Sequence, residues 1–482
     1  MLDESLLDAP EALARADTRG LLRGAAESGA RVRTAARYAA EAGIADLQPD
    51  GRPRAVLVAG PGSVAECAAD LLGALTGGSV PVTLIRPTGV APAAGALRWT
   101  LPGWAGPLDL VAVTSPDGSE PGLGVLLDQA YRRGCTVVAL TPTDTPLVEA
   151  VERARGLHLP TTPAPLLEPD PGTGYGQPPA DADPYGADPT PPGTPHAEWP
   201  TAPGVDQPDE PQRPAPGEGG TNPPPLAPGE AHPRPEPPAV GALGTHPHGA
   251  GEPLAAQRTN PYPADPSPGA LWAVLTPLLA LVDRIGLVHA PPETLQRVAD
   301  RLDQVAERCG PAQATYRNPA KSLAAELADA LPLVWTEGEV AAAVGRRFAR
   351  LLGAVAGRPA LTAELPDALR VHGALLTSPL AGGADPDDFF RDRVEEPEAL
   401  RARVVLLRDR QAPDADTDAP DVPAVTADLS AAPAARELAL SHDTPVSELE
   451  PTAEHAVERA AELLAITDFA AVYLALAGAE GS

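Results

Sequence analysis

The sequence predicts an α/β protein with two doubly wound parallel sheets, N-terminal helices and a long disordered linker between the sheets. Continuous apolar segments typical of buried strands alternate with helical segments over residues 51–160, and a second, weaker alternation follows over residues 269–482. Between these regions, residues 161–268 hold about half of the 62 prolines and few apolar residues, so they lack the backbone donors and the apolar surface of a folded core. Helices over residues 1–50 complete the predicted organisation.

Composition and charge argue against several classes of function. The chain has 482 residues, 43% of them hydrophobic, and a formal net charge of −29, so it lacks the clustered basic residues that bind nucleic acid. Three widely spaced cysteines without a CxxC pair are typical of a reducing compartment. The start lacks the basic and apolar regions of a signal peptide. The longest apolar stretch, 270–282, is too short for a bilayer and is interrupted by Pro277. We expect a cytoplasmic protein that binds neither nucleic acid nor membrane.

The first half alternates helices and strands in the manner of a parallel sheet. Apolar positions at helical spacing predict helices over residues 10–43. The elements predicted after them are a strand (55–60), a helix (63–75), two strands (80–86 and 108–114), a helix (121–134) and a strand (135–141). In such a sheet, ligands bind at the carboxyl ends of the strands, where helix N-termini offer free amides.

The second half repeats this alternation with longer helices. Its predicted elements are two helices (270–286 and 292–309), a strand (331–336), a helix (337–357), a strand (401–409) and a closing helix (449–477). The prolines of the linker are also a candidate binding segment for a partner with an SH3- or WW-like groove. The four histidines of the linker are interpreted as scattered polar residues, with a metal-binding tract as the alternative.

Two loops at the carboxyl ends of predicted strands are candidates for a phosphate site. Residues 60–63 (GPGS) look like part of a dinucleotide fingerprint, but Ala65 stands where a further glycine is needed and Pro61 lacks an amide donor. Residues 114–120 (TSPDGSE) combine hydroxyls with the amides at a helix start, which suit a phosphate dianion. The alternative for this second loop is an ordinary β-turn in which Ser119 caps the helix.

Four stretches resemble the sugar isomerase (SIS) fold and, more narrowly, the bifunctional phosphoglucose/phosphomannose isomerases. They are AGPGS (59–63), VTSPDGSE (113–120), NPAKSLA (318–324) and DFAAVYLALAG (468–478). The resemblance implies two SIS-like domains and isomerisation of glucose 6-phosphate or mannose 6-phosphate to fructose 6-phosphate. It also implies a homodimer that binds a phosphorylated hexose and needs no metal and no cofactor. The phosphate-binding residues that it implies are Gly62, Ser63, Thr114, Ser115, Ser119 and Glu120.

Two departures from this family's pattern concern the catalytic chemistry. Ala354, in the segment GAVAG, stands where the family has its catalytic glutamate. Pro116 and Asp117 replace a serine–glycine pair of the phosphate loop, which removes a donor and adds a negative charge where an anion would bind. A general base contributes roughly 10²–10⁴-fold to a rate, so the departures together count against full activity.

Further departures concern charged side chains of the second half. Arg370 aligns with the family's histidine and His372 lies two residues further on, whereas Gly269 aligns with an active-site arginine. His372 is therefore the candidate catalytic acid or base, and the alternative is a histidine on a helix surface. Three arginines either line a phosphate site or form a solvated helix face: Arg346, Arg347 and Arg350. The competing functions are a working isomerase and a catalytically silent sugar-phosphate sensor, regulator or scaffold.

Overall fold

The computed structural model describes residues 4–49, 51–89, 97–162, 268–376, 401–409 and 430–478. These residues belong to one compact unit that includes both halves of the chain. The predicted disordered linker, with its candidate partner segment, lies outside the described residues except for Thr161, Thr162 and Pro268.

Four helices precede the first sheet. They are α1 (Glu4–Leu7), α2 (Pro10–Ala16), α3 (Leu21–Ala26) and α4 (Ser28–Glu41), and a 3₁₀ turn follows at Ile44–Asp46. The start of α3 is set by Asp17, whose carboxylate accepts the backbone N–H groups of Leu21 (2.7 Å) and Leu22 (2.9 Å). Helices were predicted over this region, and the structure confirms them.

The first sheet has five parallel strands in the order β2-β1-β3-β4-β5. Its elements are β1 (Ala55–Ala59), α5 (Gly62–Leu75), β2 (Val82–Ile85), β3 (Asp109–Thr114), α6 (Pro121–Arg132), β4 (Thr136–Thr141), α7 (Pro146–Arg153) and β5 (Leu157–Pro160). Side chains alternate along β1, so Val56 and Val58 join the main core, whereas Leu57 and Ala59 pack on the opposite face of the sheet. Both faces are therefore covered, as the continuous apolar strands predicted.

The second sheet has four parallel strands in the order β7-β6-β8-β9. The second half contains α8 (Ala270–Arg284), α9 (Pro292–Cys309), α10 (Pro319–Leu327), β6 (Ala330–Glu337), α11 (Glu339–Ala356), β7 (Leu361–Glu364), α12 (Asp367–Val371), α13 (Gly373–Leu376), β8 (Arg401–Arg408), α14 (Ala432–Ser441), β9 (Val446–Leu449) and α15 (Ala456–Gly478). Helix α8 continues through Pro277, which confirms the helix predicted over residues 270–286. Most of this helix is buried, and its packing compensates for the missing backbone hydrogen bond.

Three strands and five helices were not predicted. The strands β5, β7 and β9 each have four residues and lie at sheet edges, where their side chains are mostly half-buried or exposed. They therefore lack the continuous apolar run that marks a central strand. The missed helices are α7, α10, α12, α13 and α14, and the closing helix begins at Ala456 because residues 446–449 form β9.

Helix α15 lies in the main hydrophobic core, which contains side chains from both sheets. It packs against α9, α10 and α11, and nearly all of its side chains are buried. The helix is long and apolar enough to cross a bilayer, but 94% of its most apolar stretch is buried inside the protein. Such burial is typical of a core helix.

Candidate functional site

The loops that follow β1 and β3 lie side by side at the carboxyl edge of the first sheet. The chain reverses its direction of winding between these two strands, and this switch point is the usual ligand position in such sheets. A Cβ atom on Gly60 would lie only 2.5 Å from the Thr114 carbonyl oxygen, so glycine allows the two loops to touch. Gly62, with φ of +74°, begins α5, and Ser63 follows it in the first turn. The structure thus brings the two predicted loops together.

The second loop is folded around the carboxylate of Asp117. Ser115 Oγ donates to Asp117 Oδ1 (3.2 Å), and Ser119 donates through its backbone N–H to Oδ1 (3.1 Å) and through its Oγ to Oδ2 (2.7 Å). Ser115 Oγ also accepts the backbone N–H of Gly118 (3.0 Å). Burial raises the pKa of Asp117, but the hydrogen bonds from Ser119 and Ser115 outweigh this effect and lower it overall. At neutral pH the loop therefore holds an anion of its own.

Glu120 precedes α6, and its Oε1 atom is buried without a hydrogen-bond partner among the described residues. Ser119 does not cap this helix with its side chain, because its hydroxyl donates to Asp117. The capping role of Ser119 in the alternative interpretation is therefore wrong.

A small cavity of about 20 Å³ lies beside this loop. Its volume is close to that of one water molecule. It is lined by Ser115 and Pro116 of the loop, Val64 of α5, Thr161 and Thr162 after β5, three residues of α8 (Ala270, Ala273 and Val274), and Arg31 of α4. No carboxylate or imidazole belongs to this lining, so the described residues around the cavity offer no general base.

His372 lies in the second sheet's half of the fold, away from the residues that line this cavity. It follows α12 and is 5% exposed, so it is not the surface histidine of the alternative interpretation. The indole Nε1 of Trp335, in β6, donates to His372 Nδ1 at 3.0 Å. Burial lowers the pKa of His372, which keeps the imidazole neutral at pH 7. The histidine thus acts as a hydrogen-bond acceptor in the interior.

This burial predicts a specific pH dependence of stability. Since the folded-state pKa of His372 is lowered from 6.5, the unfolded chain binds a proton first as the pH falls. The free energy of unfolding should therefore decrease between about pH 7.5 and 5.5. In His372→Gln, which keeps an acceptor for Trp335, urea titrations should give a shallower decrease. A decrease in the free energy of unfolding should remain in this variant, because burial also lowers the pKa of His455. If the free energy of unfolding depended on pH in His372→Gln as it does in the wild type, this role of His372 would be contradicted. His442→Gln serves as the control.

The carboxyl edge of the second sheet is filled by the chain's own side chains. At the end of β6, Glu337 Oε1 accepts the Ala431 N–H (2.7 Å) and the Ser430 hydroxyl (2.8 Å) at the start of α14. Its Oε2 accepts from Arg408 Nε of β8 (2.9 Å). A carboxylate of the chain itself therefore occupies this helix start, as the Asp117 carboxylate occupies the loop of the first sheet.

The three arginines of α11 do not line the cavity. Arg346 Nε binds the Asp70 carboxylate of α5 (2.8 Å), and Arg350 pairs with Glu66 of the same helix. Arg347 forms a bidentate pair with Asp468 of α15, and both side chains are almost fully buried. Arg346 and Arg350 thus join helices of the two halves, whereas Arg347 joins two helices of the second half. Among the described residues, no three His, Cys, Asp or Glu side chains are grouped to hold a metal ion.

The NPAKSLA stretch organises the start of α10. Asn318 Oδ1 accepts the backbone N–H groups of Ala320 (3.1 Å) and Lys321 (3.0 Å), and its Nδ2 donates to the Gly310 carbonyl oxygen (3.1 Å). Lys321 itself is fully buried and donates to backbone carbonyl oxygens. The described contacts of this motif are therefore structural.

Sequence reasoning missed Arg31, the charged residue on the cavity wall. The available signal was its position on α4, three residues after the buried Ser28 and four before the buried Ala35. These spacings place residue 31 beside the buried stripe of the helix, where an arginine is unusual.

Comparisons with known proteins identify the fold of the second half. Residues 316–479 match the family model described as the bacterial phospho-glucose isomerase C-terminal SIS domain. No curated protein sequence matches the chain.

Among solved structures, a glucose-6-phosphate isomerase like protein from Thermus thermophilus is 25% identical, with a TM-score of 0.31. The match covers 44% of this chain and 59% of that one. A hypothetical protein from the same organism is 14% identical, with a TM-score of 0.50 and coverage of 99% and 94%. A putative phosphosugar isomerase from Silicibacter pomeroyi is 13% identical, with a TM-score of 0.47 and coverage of 96% and 98%. Residues 316–479 thus match the C-terminal SIS domain of the bacterial phospho-glucose isomerases, and in this part the chain resembles that family.

Proposed function

We propose that the protein binds the phosphate group of a hexose phosphate at residues 114–120 and does not isomerise the sugar. The observation that carries this proposal is the convergence of Ser115 Oγ, Ser119 Oγ and the Ser119 N–H on one carboxylate, that of Asp117. Three donors aimed at one anion are the set that a phosphoryl group needs. Their position at the switch point of the sheet supports the same conclusion.

Neither candidate base position, Ala354 or His372, offers a suitable base in the described part of the chain, and this supports binding without turnover. Isomerisation needs a carboxylate or imidazole within hydrogen-bond reach of the proton beside the carbonyl. Ala354, at the position of the family's glutamate, lies exposed in the last turn of α11 and carries no such group. His372 is buried against Trp335. A sensor or regulatory role follows from binding without chemistry, whereas homodimer formation, a cytoplasmic location and a partner for the linker remain predictions from the sequence.

The Asp117 carboxylate should compete with the ligand for the three donors. In Asp117→Ser, the affinity for fructose 6-phosphate should rise at least about tenfold, because a like charge facing the phosphate is removed. Asp128→Asn, which removes an exposed carboxylate of α6, is the matched control and should change little. Isothermal titration calorimetry measures both. Equal or weaker binding by Asp117→Ser would show that the loop donors do not bind the phosphate.

Turnover is tested separately by proton exchange. Purified protein is mixed with fructose 6-phosphate in deuterated buffer, and NMR follows both deuterium incorporation at C1 and ligand line broadening. We expect broadening without exchange. Exchange that scales with protein concentration would instead support the working isomerase and require a base among other residues. If neither line broadening nor exchange were observed, the proposal of sugar-phosphate binding would itself be contradicted.

A further inference from the structure

Among the described residues that line the cavity beside residues 114–120, Arg31 is the only charged one. It extends from α4, and its side chain is only 12% exposed. The other lining residues are apolar or carry hydroxyl groups, and Ser115 of the loop is among them. A guanidinium group in such a wall needs an explanation, since buried charges are normally paired.

The pairing of Arg31 is incomplete. Its Nη2 atom lies 3.3 Å from Glu27 Oε2, but Glu27 also accepts from Arg23 Nε at 2.6 Å through its other oxygen. One carboxylate is therefore shared between two guanidinium groups. The cluster keeps a net positive charge, and the more buried of its two cations lies at the cavity.

The Nε atom of Arg31 is buried and has no hydrogen-bond partner among the described residues. Buried donors in native proteins are almost always paired with protein, water or a ligand. A guanidinium presents its donors in a planar fork that matches two oxygens of a phosphoryl group or a carboxylate. The unpaired Nε thus marks a place for an acceptor.

The backbone of α8 makes room for this side chain. A Cβ atom on Gly269 would lie 3.1 Å from Arg31 Nε, 3.2 Å from its Cδ and 2.1 Å from the Gly24 carbonyl oxygen. Any side chain at position 269 would therefore collide with the backbone at Gly24 and crowd Arg31. Glycine here allows the guanidinium to lie at the start of α8, next to the loop.

We propose that Arg31 is a ligand-binding residue of this site and pairs with the phosphoryl group that Ser115 and Ser119 bind. This inference rests on the proposed function and adds to it the cation that balances the ligand's charge. A phosphoryl oxygen would be the acceptor that Nε lacks. Because the cavity holds only about 20 Å³, the loop must move outward to admit the ligand. The ligand's phosphoryl group then displaces the exposed Asp117 carboxylate from the loop donors.

The test compares Arg31→Gln and Arg31→Lys with the wild-type chain by isothermal titration calorimetry, using fructose 6-phosphate and inorganic phosphate. We expect Arg31→Gln to weaken binding of both anions by about 10- to 100-fold, the usual range for a charge-assisted hydrogen bond. Arg31→Lys should recover part of the loss. The control is Arg37→Gln on the same helix, whose side chain is 63% exposed, and it should bind as the wild type does.

A stability measurement separates binding from a structural role. If Arg31 served only to hold α4 through Glu27, Arg31→Gln would lower the melting temperature of the ligand-free protein. For an incompletely paired buried cation we expect no decrease, and the phosphate-induced increase in melting temperature should be lost in this variant alone. A lower melting temperature with unchanged anion affinity would overturn the inference.

The outcomes also separate this inference from the proposed function. Wild-type-like binding of fructose 6-phosphate by Arg31→Gln would overturn the role of Arg31 and leave the proposed function intact. Arg31-dependent binding of inorganic phosphate without binding of the hexose phosphate would support the role of Arg31 and contradict the proposed function. A wild-type chain that binds neither anion would contradict both.

Discussion

Replacement of Lys321 by methionine is expected to lower the free energy of unfolding by about 3–5 kcal/mol. Lys321 is the only lysine in the sequence, and its side chain is fully buried. Its ammonium group donates to the carbonyl oxygens of Leu7, Pro311 (2.8 Å) and Gln313 (2.7 Å). It also lies 5.5 Å from the ring centroid of Tyr473 in α15. Methionine fills a similar volume but donates no hydrogen bond, so three carbonyl groups would lose a partner.

Urea unfolding followed by circular dichroism measures this change. Arg317→Met, which removes an exposed cation four residues earlier, should change stability by less than about 0.5 kcal/mol. The single lysine offers a second readout, because an amine-reactive reagent should label residue 321 of the wild type only after the protein opens. Rapid labelling in the folded protein, or equal stability of Lys321→Met, would show that the ammonium group does not hold these segments together.

Replacement of Asp468 by alanine should destabilise the protein by about 3–5 kcal/mol. Asp468 and Arg347 have side chains that are only 6% and 5% exposed, and they share two hydrogen bonds of 3.0 and 3.1 Å. Arg347 also donates to the Pro268 carbonyl oxygen at 3.0 Å. Without Asp468, a guanidinium charge would stay buried without its counter-ion, which is the main cause of the expected loss.

A double variant distinguishes loss of the pair from loss of packing. Arg347→Met combined with Asp468→Leu removes both charges and should recover much of the stability lost in Asp468→Ala, because apolar side chains can replace a buried ion pair. The matched control is Asp70→Asn, which removes a partly exposed partner of Arg346 and should cost at most about 1 kcal/mol. Equal effects of Asp468→Ala and Asp70→Asn would contradict the argument.

Both predictions concern the NPAKSLA and DFAAVYLALAG stretches, which carry the more specific part of the resemblance. Lys321 of the first lies against Tyr473 of the second, and Asp468 of the second pairs with Arg347. In the described contacts, both stretches connect helices within the main core. Both lie within the part that matches the SIS family model, and their described contacts are structural.

The candidate site was predictable in part. The apolar strands and the turn residues after them located both loops, because the carboxyl ends of parallel strands meet at one edge. The hydrogen bonds of Asp117 within its loop are local, and its charge was already a departure from the family's pattern. The role of Arg31 was not predictable, since α4 and α8 are far apart in sequence and meet only in the folded core.

The sequence by itself determined the α/β class, the central strands, the longer helices and the family resemblance, because these depend on local periodicity and on short motifs. The tertiary structure alone decided the roles of individual polar residues. His372 became an interior acceptor for Trp335, the arginines of α11 became ion-pair partners, and Arg31 reached the cavity. The physical reason is that the environment of a polar side chain is set by partners distant in sequence, and neither spacing nor composition reports them.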